Sequence, residues 1–195
     1  MHSDELVVEG IVVTQDGAGH ANIAPMGPRV DREITRLLLR PFRTAHTYQN
    51  LKVTGFGVFH ITDDVELFSC FAIGQLRPQP HLLPIDNFPC PRLADTCRWF
   101  AFQVKSLDDS TERVSIECSI TAHGELRPFF GFNRAKHAVL EASILATRIG
   151  IIPNEEIRHE MQRLAVLVDK TAGVQEHRAF NFLQQHIAAQ LPPDS

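Results

Sequence analysis

Apolar residues in the first third of the chain come in short runs rich in Val and Ile, the pattern of strands rather than helices. Residues 5–14 (ELVVEGIVVT) form the first run and end at Gln15-Asp16-Gly17-Ala18-Gly19. Asp-Gly between two β-like runs predicts a hairpin. The returning strand covers residues 20–30 and contains Pro25 and Pro28. Proline donates nothing to a ladder, so this strand is expected at a sheet edge, or bent where the prolines sit. Residues 32–40 (REITRLLLR) fit strand and helix equally, and Pro41 stops either. Residues 47–53 read as a short helical turn closed by Gly55, and residues 57–62 (GVFHIT) as a buried strand. Asp63 is placed to cap a helix reaching residue 73, with Val65, Phe68, Cys70 and Phe71 as its apolar positions.

Residues 76–95 hold five of the 12 prolines and predict a long, stiff, irregular loop, either a lid or a neutral insertion. Strands are expected over residues 98–106 and 113–122; in the second, Val114, Ile116, Cys118 and Ile120 alternate with Ser115, Glu117, Ser119 and Thr121. The period then changes. Asn133 caps a helix over residues 134–149 with apolar positions three and four apart, and Gly150 stops it. Pro153 and Asn154 open a second helix striped by Ile157, Met161, Leu164 and Leu167. A third helix runs from Val174 to about residue 190, with Phe180, Leu183 and Ile187. The order is α+β: a barrel or sandwich of about six strands, then three helices.

Composition narrows the function classes. Nineteen basic and 23 acidic residues leave a net charge of −4, which is not the footprint of a nucleic-acid binder. No apolar run approaches the roughly 18 residues of a spanning helix, and the polar, acidic start lacks the shape of a signal peptide. Cys70, Cys90, Cys97 and Cys118 contain no Cys-x-x-Cys pair. They read as free thiols of a reducing, cytoplasmic environment, with Cys90, between two prolines, the most exposed. Gly17-Ala18-Gly19 is not a dinucleotide fingerprint, because position 22 is Asn and a strand follows. His159-Glu160 is not followed by the second His of a zinc motif, the ten histidines show no ligand spacing, and no metal is expected. No catalytic residue can be assigned from a triad or nucleophile motif.

Two segments carry candidate chemistry. In Asn22-Ile23-Ala24-Pro25-Met26-Gly27-Pro28, proline and glycine free backbone groups from the ladder, and Asn22 adds an amide that donates and accepts. Such an edge is either a bent strand and no more, or a dock for the polar rim of a planar heterocycle. In residues 40–51, Arg40, Arg43, Thr44, His46, Thr47 and Asn50 are six donor-capable side chains just before or within a helical turn. They form either a solvated polar loop or a phosphate site, where guanidinium, hydroxyl and helix start act together.

This pair of segments resembles the FMN-binding split-barrel superfamily of flavin reductases. The resemblance rests on Asn22-Ile23-Ala24-Pro25, Arg43, Thr47-Tyr48-Gln49-Asn50 and Gly55-Phe56-Gly57-Val58-Phe59-His60. His60 departs from it, because relatives usually carry Asn there. The chain is more narrowly similar to an uncharacterised archaeal and bacterial subfamily that adds a C-terminal helical segment. That similarity spans most of residues 5–150 and includes Thr62-Asp63-Asp64 and Phe132-Asn133-Arg134-Ala135. The resemblance implies a split-barrel domain over residues 1–130 and a helical segment over 131–195. It implies a homodimer with FMN near the interface, and a small-molecule electron donor and acceptor. The ring would lie along Asn22, Ala24, Pro25, Met26 and Gly27, with the backbone of Ala24 and Met26 near its polar edge. Arg43, Thr47 and Asn50 would hold the phosphate, Tyr48 and Leu51 would flank the ring or ribityl chain, and Arg40 and Thr44 are second choices. The reading is a flavin-dependent oxidoreductase; a non-catalytic flavin carrier, or a flavin- or pterin-binding protein, is the alternative.

Overall fold

The computed structural model describes residues 5–75 and 80–192. They form two compact units, one within Met1–Thr62 and Gln79–Phe129, the other within Asp63–Pro78 and Phe130–Ser195.

The first unit is a curled antiparallel sheet of eight strands. In chain order these are β1 (Leu6–Val7), β2 (Gly10–Gln15), β3 (Ala21–Met26), β4 (Arg29–Val30), β5 (Arg36–Leu39), β6 (Phe56–Ile61), β9 (Arg98–Asp108) and β10 (Ser115–Glu125), arranged β1-β4-β5-β10-β9-β6-β2-β3. Helix α1 (His46–Thr54) follows β5, and strands β7 (Leu82–Ile85) and β8 (Phe88–Leu93) pair as a separate hairpin. The described strands therefore number ten rather than about six. The expected strand over residues 20–30 is two strands, bent at Gly27 and Pro28. Residues 32–40 resolve into a turn and β5, because Leu37 and Leu39 face the core.

The core on the inner face holds Val12, Leu37, Leu39, Leu51, Phe59, Phe100, Phe102 and Ile116. Phe59 and Phe100 lie tilted at 6.3 Å. Each fully buried ring contributes about 1.5–3 kcal/mol. Gly57 sits where a Cβ would come within 2.5 Å of the Phe102 ring, and Gly10 where it would come within 2.2 Å of the His60 carbonyl oxygen.

The proline-rich segment is not an irregular loop in its described part. It turns at Asp86-Asn87, with Asn87 at φ 56, and pairs Ile85 with Phe88. Pro84 falls at a break in register, and Pro89 is exposed. A two-stranded ribbon has two free edges, so its prolines cost no ladder bonds. Residues 76–79 lie outside the described residues. The ribbon packs on β6 and β2. This buries Cys90, contrary to its expected exposure, and its thiol meets the Val13 carbonyl at 3.5 Å. Burial pushes that thiol up to about 12.

His60 lies on the same covered face and is fully buried. Its Nε2 accepts from the Leu93 N–H at 3.0 Å, so Nδ1 carries the proton and donates to the Ile11 carbonyl at 3.2 Å. The imidazole thus joins β8 to β6 and β2. Burial, with a smaller push from Arg92, drives its pKa down to about 4.

The second unit gathers α2 (Val65–Ala72), α3 (Arg134–Ala146), α4 (Asn154–Thr171) and α5 (Val174–Gln190) around Val65, Ala138, Val139, Ile157, Met161, Leu164, Phe180 and Leu183. Val168 rather than Leu167 completes the buried stripe of α4. Asp64, not Asp63, caps α2, accepting from Leu67 at 2.9 Å; Asp63 instead accepts from the Phe130 N–H. Helix α3 ends at Ala146, three residues short of the expected end. Asn133 caps α3 as predicted, through the N–H groups of Ala135 and Lys136, and also donates to the Thr171 carbonyl. Lys136 lies against Glu176 at 2.8 Å and donates to the Asp63 carbonyl at 2.7 Å. His137 stacks on Phe132 at 6.2 Å.

Candidate functional site

Strand β3 is the last strand of its sheet, as Pro25 requires. Two bonds settle which of its backbone groups face out. Asp16 N–H donates to the His20 carbonyl at 3.0 Å, and Val8 N–H to the Pro28 carbonyl at 3.1 Å. Antiparallel pairs alternate, so Thr14–Asn22, Val12–Ala24 and Gly10–Met26 are the bonded pairs between them. Ala21, Ile23 and Pro25, opposite Gln15, Val13 and Ile11, turn their backbone groups away from β2. Pro25 therefore sits where no donor is needed. The backbone groups of Ala24 and Met26, expected at the ligand edge, belong to the ladder. Those of Ala21 and Ile23 take their place on the open edge. Gly27 follows, with space for a Cβ taken by the Glu9 carboxylate at 2.7 Å.

Helix α1 brings the second candidate segment against the first. Asn22 Nδ2 donates to Thr47 Oγ1 at 3.3 Å, and Asn50 Nδ2 donates to Thr14 Oγ1 at 3.1 Å. Thr47 and Asn50 are three apart on one helical face, while Thr14 and Asn22 are opposite each other in the ladder. The four side chains close a polar quadrangle that docks α1 on the β2–β3 hairpin. Thr47, Tyr48, Asn50 and Leu51 are all buried. Tyr48 and Leu51 point into the barrel core and do not flank a surface groove.

Exposed at the start of α1 are Arg43, Thr44 and His46. Ala45 is the N-cap and supplies no side-chain bond, and the first turn carries no acidic residue. A helix start of this kind favours an anion. Gly55, at φ 72, ends the helix.

The preceding turn leans on the hairpin between β9 and β10. Arg43 N–H donates to the Glu112 carbonyl at 3.0 Å, Val114 N–H to the Pro41 carbonyl at 3.0 Å, and the Arg113 guanidinium lies 4.5 Å from the Phe42 ring. Tyr48 OH donates to Asp109 at 2.7 Å, and Lys52 reaches both Asp109 (2.8 Å) and the Tyr48 oxygen (3.0 Å). Hydrogen bonds from Lys52 and Tyr48 pull the Asp109 carboxyl down to about 2. The sequence already places a polar hairpin over residues 107–112 between these two strands, but not the contacts that Asp109 and Thr14 make with α1. Asp109 is some sixty residues from Tyr48, and only Thr14's position two after Val12 on a strand hinted that it faces inward.

Among the described residues, no three His, Cys, Asp or Glu side chains group as a metal site, and no helix is long and apolar enough to cross a membrane.

Comparison with solved structures places this architecture among split barrels. The FMN-bound protein MM1853 from Methanosarcina mazei superposes with a TM-score of 0.80 at 24% identity, covering 93% of this chain and 95% of that one. The styrene monooxygenase flavin reductase SMOB from Pseudomonas putida S12 gives 0.51 at 13% identity, over 62% of this chain and 82% of the other. The NADH:FAD oxidoreductase SgcE6 from Streptomyces globisporus C-1027 gives 0.51 at 12% identity, over 63% and 73%. The shared part is the fold, an α+β split barrel, with more strands than sequence predicted. Among curated proteins, none matches the chain. Residues 8–127 match the model for the N-terminal domain of the DUF447 proteins of unknown function, and residues 133–185 match that family's second model. The chain belongs to the DUF447 family.

Proposed function

We propose that the chain binds FMN along the open edge of β3, with the phosphate at the start of α1, and that it acts as a flavin-dependent oxidoreductase. The observation that carries the reading is the Asn22–Thr47 hydrogen bond, which puts both candidate segments on one face of the first unit. The donor set fits the cofactor. A flavin ring needs backbone donors and acceptors without ladder partners, and Ala21 and Ile23 face that way. A phosphate needs positive charge and unpaired amides, and Arg43, Thr44 and the uncapped turn of α1 supply them. Thr47 and Asn50, buried and pinned, hold the frame. Bound FMN would supply the electron chemistry, while the chain binds and orients it. The FMN in MM1853 and the reductase names of the split-barrel neighbours support the same reading.

The protein works on this reading as a homodimer, because β3 leaves an uncovered sheet edge beside the ring. Its electrons come from a reduced nicotinamide and go to a small acceptor. The test is to purify the protein, load it with FMN, and add NADH or NADPH without oxygen while following visible absorbance. Bleaching supports the oxidoreductase. A yellow protein that ignores both donors supports a carrier. A colourless protein that takes up no FMN ends the proposal. A monomer that binds FMN would end the interface part alone.

A further inference from the structure

We infer that the tip of the β9–β10 hairpin, through Asp109, positions the phosphate end of the flavin site and so sets the preference for a phosphorylated flavin over an unphosphorylated one. This rests on the proposed FMN reading and adds residues that it does not contain.

The turn that carries Arg43 has little structure of its own. After β5 ends at Leu39, residues 40–45 hold an isolated bridge at Phe42, a turn at Arg43 and Thr44 and a bend at Ala45 before α1 begins at His46. Its shape comes from the hairpin tip, residues 109–114. The Glu112 carbonyl takes the Arg43 N–H, the Phe42–Arg113 bridge aligns the backbones, and the Arg113 guanidinium packs on Phe42 and reaches the Arg40 carbonyl at 3.4 Å. A turn held by a hairpin tip is only as well placed as the tip.

The tip is tied to α1 itself through Asp109. Asp109 accepts from the Tyr48 hydroxyl, and Tyr48 is rooted in the barrel core. Lys52, one turn further along α1, closes the triangle from the solvent side. Asp109 thus ties the tip to the helix whose first turn would meet the phosphate. Its carboxyl stays ionised through any ordinary working pH. As a bare charge near Arg43, Asp109 would repel a phosphate. As a tether it would favour one, by fixing Arg43 and the first amides of α1 in place. The two roles predict opposite signs.

The experiment titrates FMN and riboflavin separately into the full chain and into its Asp109→Ala and Tyr48→Phe variants, reading flavin fluorescence. Wild type is expected to prefer FMN. Each variant should lose about fivefold in FMN affinity while its riboflavin affinity stays within about twofold. Tyr48→Phe keeps the buried ring and changes no charge, so it separates tether from field. FMN affinity that is unchanged or higher in both variants overturns the inference. Equal losses for both flavins overturn it too, because they mark general loosening of the barrel, which a lowered thermal unfolding temperature of each variant would reveal independently. A wild type with no preference for FMN refutes the phosphate site itself, and that failure shows before any variant is made.

Discussion

Replacing His60 by Gln should remove a defined part of the protein's acid sensitivity. The imidazole is fully buried, donates to Ile11 and accepts from Leu93, and has its pKa pushed down to about 4. In the unfolded chain it titrates near about 6.5. Above that pH both states hold it neutral, and it adds no pH dependence. Between about 6.5 and about 4 the unfolded chain binds a proton that the native state refuses, so stability falls as pH falls. The limiting slope is one proton's worth of linkage per pH unit, and integration from pH 7 to pH 5 gives a loss of about 2 kcal/mol. Glutamine does not titrate. Urea unfolding of wild type and His60→Gln at both pH values should therefore show the variant less stable at pH 7, with its loss on going to pH 5 smaller by about that amount. Carboxylates titrating in the same range affect both proteins alike and cancel in the difference. Equal pH losses, within about 0.5 kcal/mol, would show that the buried imidazole is not what the acid attacks.

Lys136→Met strips the partner from Glu176, a carboxylate largely out of water. Burial pushes that carboxyl up, but bonds from Lys136 and from the backbone N–H groups of Glu176 and Gly173 hold it below its ordinary value. Loss of about 3 kcal/mol is expected by denaturant titration, with partial recovery in a Lys136→Met, Glu176→Gln double variant. Gly10→Ala forces a methyl into the His60 carbonyl and the Phe59 ring. It should cost about 2 kcal/mol or more, read as a lowered Tm, whereas Gly19→Asn, at a positive φ with open space, should cost far less. Arg43→Ala should weaken FMN binding about tenfold and leave riboflavin nearly untouched, measured by flavin fluorescence; an unchanged FMN affinity would place the phosphate elsewhere.

Legibility in the sequence followed the range of the interactions. The Asp16-Gly17 hairpin, the α3 cap at Asn133, the Gly55 stop and the edge position of β3 are local, because each rests on what one or two residues cannot do otherwise. The strand count was low because β1, β4 and β5 are held in place by pairing partners from elsewhere in the chain, with only two to four residues each. The ribbon of β7 and β8 was hidden by its prolines, whose cost depends on which edge they face. That Asn22 and Thr47 belong together was suggested by resemblance, but their contact, and the inward turn of Tyr48 and Leu51, follow only from the docking of α1. The parity that hands Ala24 and Met26 to the ladder needs the register, which one inserted residue would reverse.

Helix α2 precedes α3 by more than sixty residues, yet its apolar face belongs to the later helices. During synthesis Val65 would leave the ribosome long before the helices that cover it. The second half of the β-unit, residues 79–129, is made while this greasy segment is still waiting for shelter. A fragment ending near residue 130 would keep that surface bare permanently. Such a fragment should be recovered as aggregates, and a barrel-only expression clone would do better with α2 excised and its ends rejoined by a short polar linker.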